Sequence, residues 1–373
     1  MIFPLTYKKP VLLVGNGVRS AGAAELVYQF AKKTHIPVLT TMNAVDLAQD
    51  EVRIGFIGTY GNRVANMILD ECDLVISIGA RLGLRQIGHI RENFAPKAKL
   101  IRVDVDTNEM SRVVKDDEQD YLMDAAEFMN KLLQEDIPQY TEWHDRCHQV
   151  KKLLEAYDNV LGNDVIEKVS SLLIPNSIVA VDVGQNQCWA AQSLHLKGEQ
   201  GRILIGGGYG SMGCGLPYAI GASISTHCGL VYCLTGDGGL QMNIQELETV
   251  VREQLPIKII VLNNKALGKI SEIQSGSYGH RYAQTTLSSG YTVPDFEKIA
   301  KAYGIKKAAT LETYHSLDDY SEWMKDNEPC LINILMPEDT LLIPKIKWET
   351  GKITPALSED LLAKVTQLLE GEL

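Results

Sequence analysis

Residues 230–264 read LVYCLTGDGGLQMNIQELETVVREQLPIKIIVLNN, and their pattern is the strongest indication of the fold. Apolar runs at 230–235 and 257–262 have the length of buried strands, and a segment with helical spacing separates them. A strand, a helix and a second strand in this order form a right-handed crossover, in which the two strands lie parallel. Asp237 and Asn264, which follow the two runs, are therefore expected to lie close together at one edge of a sheet.

The helix between these two strands is predicted to begin at Asn243. Asn is a favoured N-cap residue, and Glu246 stands three residues later, as in a capping box. Ile244, Leu247 and Val250 recur at helical spacing, so one face of this helix is predicted to be apolar.

The residues after the two strands have the chemistry of a site for a metal ion and an anion. The carboxylate of Asp237 and the amide oxygen of Asn264 are hard ligands, which suit Mg²⁺ or Ca²⁺. Gly236, Gly238 and Gly239 allow backbone N–H groups to approach an anion closely. A hard metal beside such a loop predicts a diphosphate ligand, and an ordinary turn after a buried strand is the alternative.

The arrangement of GDG, a helix and a closing NN resembles the signature of thiamine diphosphate enzymes. Segments 236–250 and 257–268 are most similar to the acetolactate synthase family. The resemblance implies that Mg²⁺ is held by Asp237, Asn264 and the backbone carbonyl of Ala266. It also implies that the cofactor is contacted by Gly236, Leu267 and Gly268.

A second segment, VAVDVGQNQCWAAQ at 179–192, resembles the part of the family that binds the terminal phosphate. The family often has His where Asn186 stands, and Asn can still donate one neutral hydrogen bond. Asp182 either orients this phosphate loop or caps the following helix. The residues that the resemblance places against the diphosphate are Gly184, Gln185, Asn186, Gly238 and Gly239.

A third segment, GGGYGSMGCGLPYAIG at 206–221, resembles the part that shapes the cofactor. The resemblance implies that Met212 wedges between the two cofactor rings and enforces a bent conformation. It also implies that the carbonyl of Gly210 accepts a hydrogen bond from the aminopyrimidine. Core packing is the alternative for Met212, since a lone Met usually fills a hydrophobic core.

Composition narrows the class of protein. The chain has 373 residues with 45% hydrophobic and 22% charged residues, which indicates a soluble globular protein of two domains. Its net charge of −11 argues against a nucleic-acid partner, because phosphate binding needs a basic face. Seven cysteines without a CxxC pair argue against a disulfide framework and fit a cytoplasmic protein. Residues 203–236 lack charge but contain nine glycines, which favours a cofactor cradle over a membrane span.

Alternating strands and helices predict an α/β fold with two doubly wound parallel-sheet domains. Residues 1–136 are predicted to form a Rossmann-like middle domain and 137–163 a linker. Residues 164–373 are predicted to form the thiamine diphosphate-binding domain, which ends in a helix at 358–369. The predicted strands are 11–14, 37–40, 74–78, 100–104, 178–183, 230–235, 257–262 and 330–335.

The first domain raises the question of a second cofactor. Gly15, Gly17 and Gly22 depart from the GxGxxG spacing, so the motif alone is weak. The middle domain of acetolactate synthases binds FAD, and segments 58–66 and 78–81 resemble parts of that site. Relatives with the same domain bind FAD, ADP or neither, which makes FAD a candidate cofactor here.

The resemblance implies decarboxylation of a 2-oxo acid, followed by ligation to a second carbonyl. In the family, a glutamate from a pyrimidine-binding domain activates the cofactor, and no segment of this chain resembles that domain. We therefore expect a partner chain or a missing segment to supply it, a homo-oligomer, and weak or no activity for this chain alone. The alternatives are a non-catalytic subunit that binds thiamine diphosphate or a nucleotide, and a decarboxylase or oxidase without ligation.

Two positions near the substrate depart from the acetolactate synthase pattern. The family usually has Met where Lys269 stands and Trp where Ile273 stands. Lys269 either pairs with an anionic acceptor or is solvated. The departure makes the identity of the acceptor an open question.

Overall fold

The computed structural model describes residues 3–4, 6–155, 157–198 and 200–371, which form two compact units. The first comprises Met1–Asn159 together with Ile343–Leu373, and the second comprises Val160–Leu342. Within the described residues, each unit contains a parallel six-stranded sheet with helices on both faces. This confirms the predicted fold of two doubly wound α/β domains.

The sheet of the first unit has the strand order β3-β2-β1-β4-β5-β6. Its strands are β1 (Pro10–Val14), β2 (Val38–Thr40), β3 (Arg53–Phe56), β4 (Leu74–Ile78), β5 (Lys99–Asp104) and β6 (Gln119–Leu122). The helices are α1 (Gly17–Ser20), α2 (Ala24–Thr34), α3 (Arg63–Glu71), α4 (Leu84–Ile87), α5 (Thr107–Met110), α6 (Ala125–Leu133) and α7 (Thr141–Leu154). Short 3₁₀ helices lie at Met42–Ala44 and Arg91–Asn93.

The sheet of the second unit has the order β11-β12-β10-β9-β7-β8. Its strands are β7 (Ile178–Val181), β8 (Arg202–Ile205), β9 (Val231–Gly236), β10 (Ile257–Asn263), β11 (Lys307–Leu311) and β12 (Cys330–Leu335). The helices are α8 (Leu161–Leu172), α9 (Gln185–Ser193), α10 (Gly215–Ser225), α11 (Asp237–Met242), α12 (Leu247–Arg252), α13 (Gly268–Ser277) and α14 (Phe296–Ala302). Short 3₁₀ helices lie at Ile244–Glu246, Leu287–Ser289 and Tyr314–Tyr320.

The direction of strand addition in the second unit reverses between β7 and β9. Such a switch point opens a crevice outside the carboxyl ends of the strands, where α/β proteins bind ligands. β10 lies next to β9, with Leu262 paired to Gly236. The switch point therefore brings the ends of β7, β9 and β10 to the same edge of the sheet.

The chain after residue 342 packs on the first unit. It forms the antiparallel pair β13 (Lys345–Ile346) and β14 (Ile353–Thr354), followed by α15 (Glu359–Glu370). The buried side chains of Val365 and Leu369 belong to the hydrophobic core of the first unit. The predicted second domain, 164–373, includes this tail because the tail follows β12 in the chain. The structure corrects this prediction, because the apolar face of α15 is buried in the first unit.

The predicted linker, 137–163, contains α7, which also belongs to the first unit. Trp143 is buried, and its indole N–H donates to the carbonyl of Pro10 at 3.1 Å. Cys147 and Val150 are buried in the same core. Most of this segment therefore stabilises the first unit through a buried helical face.

The eight predicted strands correspond to the eight inner strands of the two sheets, whereas β3, β6, β8 and β11 are not predicted. These four are the edge strands, and each has exposed or half-buried positions. The charge-free segment 203–236 contains the last three residues of β8, together with α10 and β9. Of the helices that the structure describes, none combines the length and the apolarity needed to cross a membrane.

Candidate cofactor site

Asp237 lies at the first position of α11, directly after β9, and its side chain is buried. One carboxylate oxygen, Oδ1, accepts hydrogen bonds from the Gly238 N–H and from the Tyr291 hydroxyl, the latter at 2.9 Å. The other oxygen, Oδ2, accepts from the Lys265 N–H at 2.7 Å. The carboxylate is therefore held by donors from three separate segments.

The charge of Asp237 is not balanced by a cationic side chain. Burial raises the pKa of this carboxyl to about 6, and the hydrogen bond from Tyr291 offsets only part of the shift. In the part of the chain that the structure describes, no Lys, Arg or His forms an ion pair with it. A buried carboxylate without a cation is the group that a bound metal ion would neutralise.

Asn264 follows β10 and is also buried. Its Nδ2 donates to Oε1 of Gln185 at 3.1 Å, and its Oδ1 accepts from the Ala266 N–H at 3.3 Å. Asp237 bonds to the N–H of Lys265, the residue that follows Asn264. Asp237 therefore contacts the backbone next to Asn264, and Asn264 contacts Gln185. The role of Asp237 and Asn264 as metal ligands stays a prediction.

The loop after β7 lies against the loop after β10. A Cβ added at Gly268 would lie 1.9 Å from Oε1 of Gln185 and 3.2 Å from Nδ2 of Asn264. Gln185 is fixed on its other side, because its Nε2 donates to the carbonyl of Thr340 at 3.0 Å. The absence of a side chain at Gly268 is therefore what allows these two loops to meet.

Asn186 and Gly184 form the start of α9. Gly184 has a φ of 138°, and no side chain caps the first turn of this nine-residue helix. Nδ2 of Asn186 donates to the carbonyl of Asp182 at 2.9 Å, so one of its donors is used within the loop. The backbone N–H groups of the first turn carry the positive end of the helix dipole, which favours an anion.

Met212 and Gly210 lie in the glycine-rich loop that precedes α10. Met212 is 40% exposed, so its side chain is not a core residue of the second unit. A Cβ added at Gly238 would lie 3.9 Å from Sδ of Met212 and 2.7 Å from Cδ2 of Leu267. Gly210 has a φ of 64°, and a Cβ added there would meet only a methyl group of Val183, at 3.6 Å.

Asp182, directly after β7, links its own loop to the glycine-rich loop and to β9. Its Oδ1 accepts from the N–H groups of Val183 and Gly213, at 2.7 and 2.9 Å, and its Oδ2 accepts from the Thr235 hydroxyl at 3.0 Å. Burial raises the pKa of this carboxyl, and the Thr235 hydrogen bond acts in the opposite direction. Of the two roles left open by the sequence, the structure supports orientation of the loops, because no side chain caps α9.

Asn243 does not cap a helix, contrary to the prediction. α11 occupies 237–242, a 3₁₀ turn follows, and α12 begins only at Leu247. The side chain of Asn243 instead donates to the carbonyl of Gly213 at 2.7 Å. Capping would use the Oδ1 of Asn243 as an acceptor, but the bond from its Nδ2 to the glycine-rich loop orients the side chain so that Oδ1 makes no cap hydrogen bond.

Lys269 lies in the first turn of α13, a helix whose residues are all at least partly exposed. Its Nζ is 3.4 Å from Oε2 of Glu272 on the same helix. Ile273 on this helix is 49% exposed. The side chain of Lys269 is therefore only partly exposed, one residue from Gly268.

Sequence reasoning missed Tyr291, Thr235 and Thr340, which all contact predicted site residues. Tyr291 lies between the 3₁₀ turn 287–289 and α14, where no motif indicates a function. Thr235 could have been found, since it precedes Gly236 on the strand that carries the motif. Nothing in the local sequence marks the other two.

The segments compared with an FAD site lie in the first unit. The loops after β1 and β4 are in contact, with the Gly17 N–H donating to the Gly79 carbonyl at 2.9 Å. Asn66 forms two hydrogen bonds with the backbone of Gly58, at 2.9 and 3.1 Å. Arg81 is exposed and pairs with Glu109 at 2.8 Å. FAD binding stays a prediction.

Two family profiles match this chain. The profile described as "Thiamine pyrophosphate enzyme, central domain" matches residues 5–132, and the one described as "Thiamine pyrophosphate enzyme, C-terminal TPP binding domain" matches residues 182–334. Thiamine pyrophosphate is another name for thiamine diphosphate. The chain belongs to the thiamine pyrophosphate enzyme family and carries the central and the cofactor-binding domains of that family.

Within this family the chain is similar to acetolactate synthase large subunits. It is 32% identical to a probable acetolactate synthase large subunit of Methanocaldococcus jannaschii, over 96% of this chain and 63% of that protein. It is 34% identical to the isozyme 2 large subunit of Escherichia coli, over 80% and 54%. It is 36% identical to the large subunit of Cyanidium caldarium, over 81% and 53%. The chain thus spans between about half and three-fifths of the length of these relatives.

The residues present fit a divalent cation bound by oxygen. The described residues contain no cluster of three or more His, Cys, Asp or Glu side chains that could hold a metal. A cation bound by Asp237 would therefore draw most of its ligands from neutral oxygens of side chains, backbone and ligand, a donor set that suits Mg²⁺. The buried and unpaired charge of Asp237 supplies the carboxylate.

Proposed function

We propose that this chain binds thiamine diphosphate and Mg²⁺ as part of a 2-oxo acid decarboxylase and carboligase of the acetolactate synthase type. One observation carries the proposal. The buried carboxylate of Asp237 lies at the switch point beside Asn264 without a cationic partner, inside the family's cofactor-binding domain. A cation at this place would offset the cost of burying the charge and would anchor a diphosphate.

The residues proposed for the metal are Asp237, Asn264 and the carbonyl of Ala266. Those proposed for the rest of the cofactor are Gly184, Gln185, Asn186, Gly210, Met212, Gly236, Gly238, Gly239, Leu267 and Gly268. When bound, thiamine diphosphate supplies the nucleophilic carbon and the electron sink for decarboxylation of a 2-oxo acid. The protein residues hold and orient it: the first turn of α9 faces the phosphates, and Met212 supports the rings.

We further propose that a pyrimidine-binding domain, from a partner chain or another segment, covers this edge of the second unit. Several large apolar side chains around the site are exposed, which a monomeric surface rarely groups together. Tyr209 is fully exposed in the glycine-rich loop, and Ile270, Ile273 and Leu341 are each about half exposed. A covering domain would bury them and supply the activating glutamate, and a homo-oligomer would provide such a surface.

Lys269 is the proposed contact for substrate. It stands one residue after Gly268, at the start of a helix that buries none of its own side chains. A cation at this position favours an anionic acceptor, such as the carboxylate of a second 2-oxo acid. Exchange of Lys269 for Met, the residue usual in acetolactate synthases, should change the choice of acceptor more than the rate of decarboxylation.

Two other functions have a specific feature in their favour. Lys269 and the exposed Ile273 depart from the acetolactate synthase pattern, which favours a decarboxylase or oxidase without ligation. The central domain belongs to a fold that binds FAD or ADP in relatives, which favours a nucleotide-binding subunit. Product analysis with a complementary pyrimidine-binding domain distinguishes a decarboxylase or oxidase from a carboligase. Nucleotide binding without Mg²⁺ identifies a nucleotide-binding subunit.

The direct test is calorimetric titration of the purified chain with thiamine diphosphate. Binding should require Mg²⁺ and be abolished by EDTA and by Asp237→Ala. Asp360→Ala, which removes an exposed carboxylate in the first turn of α15, should bind as the wild type does. Binding that survives both EDTA and Asp237→Ala would refute the metal site, and efficient pyruvate decarboxylation by the chain alone would refute the covering domain.

A further inference from the structure

The hydroxyl of Tyr291 contacts the candidate metal ligand from a segment that lies outside both family motifs. It donates to Oδ1 of Asp237 at 2.9 Å. The same hydroxyl would lie 3.0 Å from a Cβ added at Gly238, so it also packs against the start of α11. Tyr291 is half-buried, and its hydroxyl faces the buried carboxylate.

The segment that carries Tyr291 is held in place by its own hydrogen bonds. Ser289 Oγ accepts from the backbone N–H groups of Thr285 and Thr286, at 3.1 and 3.0 Å. The Tyr291 N–H donates to the Thr286 carbonyl at 3.0 Å. Thr285 and Thr286 are buried. The phenol ring is therefore presented by a constrained turn.

The same turn is attached to the loop that follows Asn264. The N–H of Leu267 donates to the carbonyl of Thr285 at 2.9 Å. The hydroxyl of Thr285 donates to Oε1 of Gln274 on α13. One short segment thus contacts both halves of the candidate metal site: Tyr291 reaches the carboxylate, and Thr285 reaches the loop of the amide ligand.

Backbone N–H groups bond to both oxygens of the Asp237 carboxylate, Gly238 to Oδ1 and Lys265 to Oδ2, and the Tyr291 hydroxyl adds a side-chain donor to Oδ1. The Tyr291 hydroxyl and the Lys265 N–H bond to different oxygens of this carboxylate, and this fixes its plane. Residues that hydrogen-bond to metal ligands orient them, and their removal commonly weakens metal affinity by about tenfold or more.

We propose that Tyr291 is a positioning residue, which orients the carboxylate of Asp237 for a divalent cation. The inference rests on the proposed metal site and adds a residue that neither motif contains. Tyr291 does not bind the cation. It sets the direction in which the carboxylate presents its free electron pairs.

The test uses the full chain, Tyr291→Phe and the matched control Tyr278→Phe, whose parent residue is an exposed tyrosine after α13. Mg²⁺ affinity is measured by calorimetry. Tb³⁺, a luminescent ion that accepts the same oxygen ligands, is titrated with excitation of tyrosine. We expect Tyr291→Phe to weaken Mg²⁺ binding by about tenfold and to remove most tyrosine-sensitised Tb³⁺ emission. Tyr278→Phe should change neither.

Thermal unfolding of the cation-free proteins shows whether Tyr291→Phe is folded, because loss of one oxygen should leave the melting temperature nearly unchanged. Wild-type affinity and emission in a folded Tyr291→Phe would overturn the positioning role and leave the metal site intact. If Asp237→Ala binds Mg²⁺ and Tb³⁺ as tightly as the wild type does, the proposed metal site is wrong, and the proposed role of Tyr291 is wrong with it.

Discussion

The carboxylate of Asp182 accepts a hydrogen bond from the hydroxyl of Thr235 at 3.0 Å, and this joins the ends of β7 and β9. The two strands flank the switch point of the second sheet. Because Asp182 also accepts from the Gly213 N–H, the loop that carries Met212 is fixed relative to the start of α11. These hydrogen bonds therefore hold together the loops that border the crevice.

Asp182→Ala should loosen this arrangement. The substitution leaves the N–H groups of Val183 and Gly213 without their acceptor, and an unsatisfied buried donor costs about 1–3 kcal/mol. We expect a decrease of that size in the free energy of unfolding, measured with urea, and weaker binding of thiamine diphosphate by calorimetry. Thr235→Ser, which keeps the hydroxyl, is the control. Unchanged stability in Asp182→Ala would contradict the proposed role.

Gly268→Ala should be strongly unfavourable although Ala is the better helix former. Its Cβ would lie 1.9 Å from Oε1 of Gln185, which cannot move without breaking its bonds to Asn264 and Thr340. Overpacking of this kind costs about 1–3 kcal/mol, and we expect cofactor affinity to fall as well. Chemical denaturation and calorimetry measure the two effects.

Gly276→Ala is the matched control on the same helix. No atom lies within 4 Å of the added Cβ, so the substitution meets open space. It should stabilise the protein by about 0.5–1 kcal/mol, because Gly loses more backbone freedom than Ala on folding. If the two substitutions change the free energy of unfolding equally, the close approach of Gly268 to Gln185 does not contribute to stability.

Met212→Ala should separate stability from cofactor binding. Since Met212 is 40% exposed, its truncation should change the free energy of unfolding by less than about 0.5 kcal/mol. If the side chain supports the cofactor rings, affinity for thiamine diphosphate should fall by about tenfold, which corresponds to roughly 1.4 kcal/mol of lost contact. Met324, which is fully buried in the same unit, should show the reverse pattern when changed to Ala, with a loss of about 2–5 kcal/mol in stability.

Asp326 should make the stability of the second unit sensitive to acid. Burial acts to raise the pKa of this carboxyl, but hydrogen bonds from Lys258 and Lys307 prevail and lower it to about 2. A lowered pKa contributes stability that is complete above the unfolded value of 3.8 and is lost as the pH falls towards 2. Discounted for partial exposure, this contribution is about 1–2 kcal/mol.

Asp326→Asn tests this dependence. At pH 7 it leaves the ammonium of Lys258, which is fully buried, without its carboxylate, and should cost about 3 kcal/mol. Below pH 4 the difference from wild type should shrink, because Asp326 becomes protonated first in the unfolded state and then, as the pH approaches 2, in the folded state as well. Lys298→Met, which breaks a more exposed pair with Asp295, should change stability by less than about 0.5 kcal/mol at either pH. A difference that does not vary with pH would exclude the ion pair as its cause.

The sequence determined the inner part of both sheets. The eight predicted strands are those buried on both faces, where continuous apolar runs are required. The edge strands escaped prediction for the same physical reason: β6 has mostly exposed positions, and Gln119–Leu122 consequently lacks an apolar pattern. The packing of α15 on the first unit could not be predicted from the sequence either, because an amphipathic helix does not specify which surface covers its apolar face.

For the site, the apolar runs of β9 and β10 were enough to predict that Asp237 and Asn264 follow two parallel strands and lie at the same edge of the sheet. Parallel strands place their carboxyl ends at one edge whatever the rest of the chain does. Three contacts became known only from the folded chain: Tyr291 donates to Asp237, Asp182 links β7 to β9, and Asn243 bonds to Gly213 instead of capping a helix. These contacts join segments 30 to 54 residues apart in the chain, and such pairings depend on how loops pack, which no local pattern of residues encodes.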